Sequence, residues 1–363
     1  MKVLQFIDSL SAGGAEKLLV NSVIKYREMG IDVDILLLKG GESPFLGILE
    51  CNPEIKVFSF GEKNNVYSPL NILKVYRFLK NYDIIHVHLF PSLYWAAFAD
   101  IIKIKKNYKL VFTEHNTTNR RRSKAIFKII DKLVYSRYNK IITISDSVDV
   151  NLKSHLGNSF NSKFIKIYNG IDLKEINEAI PYSKKDIGFK DDNKLLLQVS
   201  SFTPQKNQLT LIKSLKYLPE NYHLILVGDG ELKAECIKIT KDLELSNRVS
   251  FYGIRKDVPR LLKSVDIVVL SSHFEGLSLS SVEGLASGKP FIASNVPGLT
   301  EVVEGAGVLF EDNNEKELSK CINELIEDDE YRNRIVKKCI DRSKKFDIIN
   351  MTTEYSNLYR DLI

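Results

Sequence analysis

Cysteine is scarce in this chain of 363 residues, and its four cysteines, Cys51, Cys236, Cys321 and Cys339, never fall in a C-x-x-C pair. That spacing argues against a disulfide framework or a structural metal and for reduced thiols in a reducing compartment. Long apolar runs are missing too. No stretch approaches the roughly 18 residues of a membrane span. The amino-terminal MKVLQFIDSLSAGG turns polar after six apolar-run residues, short of the core of a secretory signal. The expected location is therefore the cytoplasm. No G-x-G-x-x-G follows a strand-like segment, which disfavours a nicotinamide-dependent dehydrogenase. Aromatics are not interleaved with the basic pieces as base-stacking platforms, so nucleic acid is not an expected partner.

What is present is ordinary soluble material, 44% hydrophobic and 27% charged, of a length that suggests two domains. The net charge of +6 is unevenly spread: residues 1–176 hold 26 Lys and Arg against 17 Asp and Glu, and the remainder 26 against 29. The densest basic pieces are KIKKNYK (103–109) and NRRRSKAIFKIIDK (119–132), where Ile126, Phe127, Ile129, Ile130 and Leu133 stand among or beside cations. Such a segment can be a solvated helix packing its apolar face on its own domain. It can equally lie on an anionic membrane surface or draw in a phosphate-bearing acceptor.

Short apolar segments bounded by turn formers read as buried strands: KVLQFI (2–7), VDILLL (33–38), IKVFSF (55–60), DIIHVH (83–88), KLVFTEH (109–115) and KIITIS (140–145). The scheme repeats in LLLQVSS (195–201), HLILVG (223–228), RVSFYG (248–253), DIVVLSS (266–272), PFIAS (290–294) and GVLF (307–310). Helical patterns lie between, such as AEKLLVNSVIKYREMG with Gly30 placed for a C-cap. Alternation of this kind predicts an α/β fold of two doubly wound parallel sheets. The boundary is expected after IKIYNGIDL, giving domains over 1–176 and 177–345.

Ligands of such sheets sit beyond the carboxyl ends of the strands. There, SAGGAEK sets Gly13 and Gly14 before a helix whose N–H groups suit an anion, although a tight strand-to-helix turn needs no ligand. TPQKNQ puts Lys206 one residue before Asn207, a good N-cap, so that an ammonium would stand beside donor N–H groups. In SHFEGLSLSSVEGLASGKP (271–289), Ser280-x-x-Glu283 matches a capping box, which accounts for Glu283 but not for Glu275. A carboxylate at Glu275, ahead of a Ser- and Gly-rich helix start, makes a bipartite site: N–H groups for a diphosphate, carboxylates for sugar hydroxyls. A nucleotide sugar presents that combination.

With GGAEK (13–17), TEHN (113–116), YNGID (168–172), FTPQKN (202–207), VGDGELK (227–233), FYGIRKDVP (251–259) and FEGLSLSSVEGLASGKPFIASNVPGLTEVV (274–303), the chain resembles the retaining glycosyltransferases of family 4 (group 1). The last run carries the Glu, seven residues, Glu pattern. The resemblance implies the GT-B architecture, two Rossmann-like domains facing a cleft, with a helix over 346–363 crossing back to the first domain. It implies that Glu275 contacts donor-sugar hydroxyls, Glu283 the ribose, and the N–H groups of Leu277, Ser278 and Leu279, after Gly276, the diphosphate. Lys206 would bind that diphosphate, Gly14 would approach it, Ile254 would border the base, and His115 would stand near the reacting centre. His86 and His88 are expected as lining at most.

One departure concerns charge: Ser201 stands where the family usually has Arg, and Arg255 is expected either to compensate as a diphosphate partner or to lie by the base. Asp32 and Asp34 lie inside a strand, so no catalytic metal and no cofactor are expected. The expected catalytic residues are Glu275, His115 and Lys206, with the acceptor held by Gly13, Arg120, Arg121 and Arg122. The expected activity is metal-independent, retaining transfer of a hexose or N-acetylhexosamine from a nucleotide diphosphate sugar, UDP-linked, to a glycan or polyprenyl-diphosphate-linked glycan. The enzyme would work at the inner face of the membrane. The alternatives are a nucleotide-sugar epimerase, a phosphorylase and a non-catalytic nucleotide-sugar binding protein.

Overall fold

The computed structural model describes residues 1–11, 13–116, 122 and 124–363. The chain divides into two compact units, one made of Met1–Gly170 with Ile348–Ile363 and the other of Ile171–Asp347. The short helix Leu173–Asn177, placed at the end of the first domain by the sequence reading, belongs to the second. There it lies against the helices Val258–Ser264 and Leu279–Ala286, and the Asn177 carbonyl accepts from Lys263 Nζ at 2.8 Å.

In the first unit the strands are β1 (Lys2–Ile7), β2 (Asp32–Leu37), β3 (Val57–Ser59), β4 (Ile84–His88), β5 (Lys109–Glu114), β6 (Lys140–Thr143) and β7 (Phe164–Lys166). They form one sheet in the order β3-β2-β1-β4-β5-β6-β7, with every described pairing parallel. The second unit holds β8 (Lys194–Val199), β9 (Tyr222–Val227), β10 (Val249–Gly253), β11 (Ile267–Leu270), β12 (Phe291–Ser294) and β13 (Val308–Phe310), ordered β10-β9-β8-β11-β12-β13. Twelve of these strands fall on the apolar segments read from the sequence; β7 is the addition. It is three residues long and only half-buried, so it shows no apolar run to be read.

Strands such as β4 and β11 are buried along their whole length, because helices cover both faces of a parallel sheet. Strand order reverses between β1 and β4 and between β8 and β11, and the segments that leave these strands hold most of the candidate residues named from the sequence.

The last helix, Ile348–Leu362, packs on the helix Gly14–Glu28 of the first unit, with the Tyr26 and Tyr359 rings 5.9 Å apart. Its Tyr359 hydroxyl reaches two buried polar side chains inside strands: it accepts from Gln5 Nε2 (3.3 Å) and meets His86 Nδ1 (2.5 Å). Tyr359→Phe would leave both without that partner, and a buried unsatisfied group costs about 1–3 kcal/mol. The variant should lower the urea midpoint of the first unit, followed by the fluorescence of Trp95, with no change in far-ultraviolet dichroism.

Candidate functional site

In the second unit the loops after β8 and β11 bring Lys206 and Glu275 together. Lys206 Nζ lies 2.5 Å from Glu275 Oε1, and both side chains are largely buried. The same oxygen accepts from Ser272 Oγ at 2.6 Å, and Glu275 Oε2 accepts from Gln205 Nε2 at 3.2 Å. Lys206 therefore faces a carboxylate, where the sequence reading set it beside helix N–H groups. Gln198, buried inside β8, ties the two loops: its amide donates to the Lys206 carbonyl (3.0 Å) and its carbonyl accepts from Ser271 Oγ (2.9 Å).

Behind Glu275 stands Gly298, at φ +84°, where a Cβ would lie 2.1 Å from the Glu275 carbonyl oxygen. Only glycine permits that approach, and Pro297 O takes the Glu275 N–H at 3.1 Å. Sequence reasoning missed Ser272, Gln205 and Gly298 as supports. The signal for the glycine was its place in VPGLTEVV; the other two have none without the fold.

The helix Leu279–Ala286 starts directly after this carboxylate, capped at Ser278 without a side-chain hydrogen bond. Ser280 is thus inside the helix, one residue past its start, and the capping box does not form. Among the described residues nothing accepts from the N–H groups of Leu277, Ser278 and Leu279; for Ser278 and Leu279, at the N-cap and first helical position, helix geometry leaves no intrahelical acceptor. Glu283 follows on the same helix, partly buried. Asn207 does hold the N-cap position of Gln208–Ser214, but in a left-handed conformation (φ 44°) with its amide donating to Asn313 Oδ1 at 3.2 Å.

Ile254 is 76% exposed. Arg255, the one cation expected near exposed Ser201, forks onto Asp257 at 2.8 and 2.6 Å; that fork, with the Tyr182 hydroxyl, holds the Asp257 carboxyl well below the usual range against the opposing effect of burial.

In the first unit, His115 Nε2 meets His88 Nδ1 at 3.0 Å, and His88 Nε2 meets Gln5 Oε1 at 2.7 Å. Burial pulls His86 and His88 well below the usual range and His115 down to about 4. Gly14 opens the first helix and Gly13 caps it. The cradle over Gly13 is filled by the chain's own acid: a Cβ there would lie 2.2 Å from Glu16 Oε2, and Ser11 Oγ donates to Glu16 Oε1 at 2.8 Å. Arg122 turns inward onto Glu114, which also accepts from Tyr135 at 3.0 Å; Arg120 and Arg121 lie outside the described residues. Asp34 accepts from Tyr82 (2.8 Å) and from the Lys56 N–H (3.2 Å) within its sheet.

With this geometry in place, comparison with known proteins assigns the chain. The family model described as Glycosyltransferase Family 4 matches residues 12–175, and that described as Glycosyl transferases group 1 matches residues 180–342. An uncharacterized glycosyltransferase of Methanocaldococcus jannaschii is 30% identical over 77% of this chain and 76% of its own. The chain belongs to the family 4, group 1 glycosyltransferases. A Campylobacter jejuni relative, 27% identical over 96% of each chain, is named N-acetylgalactosamine-N,N'-diacetylbacillosaminyl-diphospho-undecaprenol 4-alpha-N-acetylgalactosaminyltransferase. Anabaena HepE, solved in complex with UDP, superposes with a TM-score of 0.85 at 25% identity over 99% of this chain and 100% of its own. The glycosyltransferase has the GT-B fold.

One acid at the carboxyl end of β1 went unnoticed in the sequence. Asp8 Oδ1 is buried without a hydrogen-bond partner among the described residues. Burial, with Glu16 adding to it, pushes the carboxyl up to about 6. A raised carboxyl favours the folded state below its unfolded value near 4 and works against it once ionised above about 6. Asp8→Asn should therefore raise the melting temperature at pH 7.5, by up to about 3 kcal/mol of stability, and the gain should vanish below pH 4 in a pH series of thermal melts.

Proposed function

We propose that the glycosyltransferase moves a hexose or N-acetylhexosamine from a UDP-sugar, with retention and without a metal ion, to a polyprenyl-diphosphate-linked glycan. The observation that carries this reading is the Lys206–Glu275 pair set directly before the open N–H groups of Leu277, Ser278 and Leu279. A donor diphosphate would compete with Glu275 for Lys206 and take those N–H groups, and the carboxylate so released would accept from the sugar hydroxyls. Charge that builds on the departing diphosphate meets the ammonium and the positive end of the helix, fixed before the reaction begins. Glu283, further along that helix, would take the ribose. The UDP complex of Anabaena HepE and the diphospho-undecaprenol name of the Campylobacter jejuni relative support the donor and the acceptor respectively.

Glu275→Ala should reduce transfer from a UDP-sugar by at least about a hundredfold while the protein keeps its dichroism spectrum, and UDP, but not GDP or ADP, should raise the wild-type melting temperature in metal-free buffer. Wild-type turnover in that variant would sink the assignment.

The acceptor side rests on the first unit. On the helix Ala125–Ser136, Phe127 and Ile130 pack against the core, but Ile126, Ile129 and Leu133 are 57%, 70% and 52% exposed, at spacings that put them on one stripe. Lys128 and Lys132 are exposed on the same helix, and Ile104, 95% exposed, stands between Lys103 and Lys105. Apolar side chains rimmed by lysines fit the boundary of an anionic bilayer. The protein should co-sediment with vesicles containing anionic lipid at low salt and release as salt rises; Ile129→Glu should weaken that binding, and absence of binding at low salt would remove the membrane from the proposal.

A further inference from the structure

The first sheet holds a chain of buried polar side chains whose donors and acceptors run in one sense. Gln5 sits inside β1, with its amide N–H donating to the Tyr359 hydroxyl (3.3 Å) and its carbonyl facing His88 Nε2 (2.7 Å). A carbonyl only accepts, so His88 carries its proton on Nε2 and offers a lone pair at Nδ1. Nδ1 lies 3.0 Å from His115 Nε2, which must then be the protonated nitrogen of that ring.

The other branch agrees. With its lone pair taken by Gln5, the Tyr359 hydroxyl has a proton that can go to His86 Nδ1 (2.5 Å). In that sense His86 Nε2 would donate to Thr113 Oγ1 (2.7 Å), and the Thr113 hydroxyl to Tyr355 (3.0 Å). Burial keeps all three imidazoles uncharged near neutral pH, so each has one proton and one lone pair to place. Among the six ring nitrogens of His86, His88 and His115, only His115 Nδ1 has no hydrogen-bond partner among the described residues.

We propose that Gln5 is a positioning residue: through His88 it fixes His115 as the tautomer protonated at Nε2, so that Nδ1 is left as a bare lone pair for a hydroxyl of a substrate held by the first unit. In this arrangement His115 accepts and does not act as a charged acid. The step rests on the transferase reading for the identity of the hydroxyl, but the tautomer itself does not depend on it.

The test is a long-range proton–nitrogen correlation spectrum of the full-length protein labelled with nitrogen-15 in histidine, with the His115 signals assigned from His115→Gln. Wild type is expected to show a protonated, pyrrole-like Nε2 and a bare, pyridine-like Nδ1 at His115. Gln5→Leu should convert this to a mixture of tautomers and lower kcat about tenfold with little change in donor KM. Gln5→Glu, which keeps an acceptor opposite His88 Nε2, should restore both.

A wild-type His115 protonated at Nδ1, or a tautomer unaltered in Gln5→Leu, overturns the proposal, and the wild-type spectrum decides even if that variant fails to fold. The expected tautomer in a protein that transfers no sugar would instead sink the transferase reading and leave the relay standing.

Discussion

Parallel strands covered on both faces admit few polar side chains, since a buried polar group must find a partner or bear the cost of leaving water. The polar residues inside the strands of this chain are therefore informative. Gln5, His86, His88 and Thr113 break the apolar runs of β1, β4 and β5 in the first unit, and Gln198 breaks β8 in the second. Each satisfies its neighbours across strands. Each also lies directly under a residue that the family resemblance assigns to the reaction: the histidine chain under His115, Gln198 under Lys206. The rigidity of the sheet is thus passed to the groups at its carboxyl edge.

The Lys206–Glu275 pair shows why such support is needed. Both side chains are largely withdrawn from water, and removing two charges from water offsets much of their attraction, so a pair like this contributes little net stability. It serves better as stored polarity. Three donors, from Lys206, Ser272 and Gln205, converge on one carboxylate, and the backbone behind it is pinned by the close approach of Gly298. A ligand that takes one of these donors finds the others already oriented, so little ordering remains to be done on binding.

How much of this was legible depends on whether the determining contacts are local. Strand positions follow from apolar runs bounded by turn formers, and twelve strands were readable on that basis; β7 was not, being three half-buried residues. Lys206 and Glu275 were readable as residues past strand ends, but their mutual contact spans 69 positions and needs the strand order to be seen. Local chemistry also misled. Ser280 and Glu283 have capping-box spacing, yet the helix begins at Leu279 and leaves Ser280 inside it. Arg255 carries the right charge, but Asp257 two residues on offers a nearer carboxylate, and the fork closes on it.

The carboxyl-terminal helix is the furthest from local legibility. Its sequence, IINMTTEYSNLYRDL, reads as polar, and in a local view Tyr355 and Tyr359 are two more aromatics on an amphipathic face. In the fold they are buried, and their hydroxyls close the hydrogen-bond chain that begins at Gln5, 354 positions away in sequence. A tyrosine buried with its hydroxyl satisfied packs like a large hydrophobe and orients like a polar group. Leucine at either place would fill space but leave His86 or Thr113 a partner short. The choice of tyrosine at both positions is thus a consequence of the polar residues in β1, β4 and β5, and the last helix belongs to the first unit because it completes their hydrogen bonds.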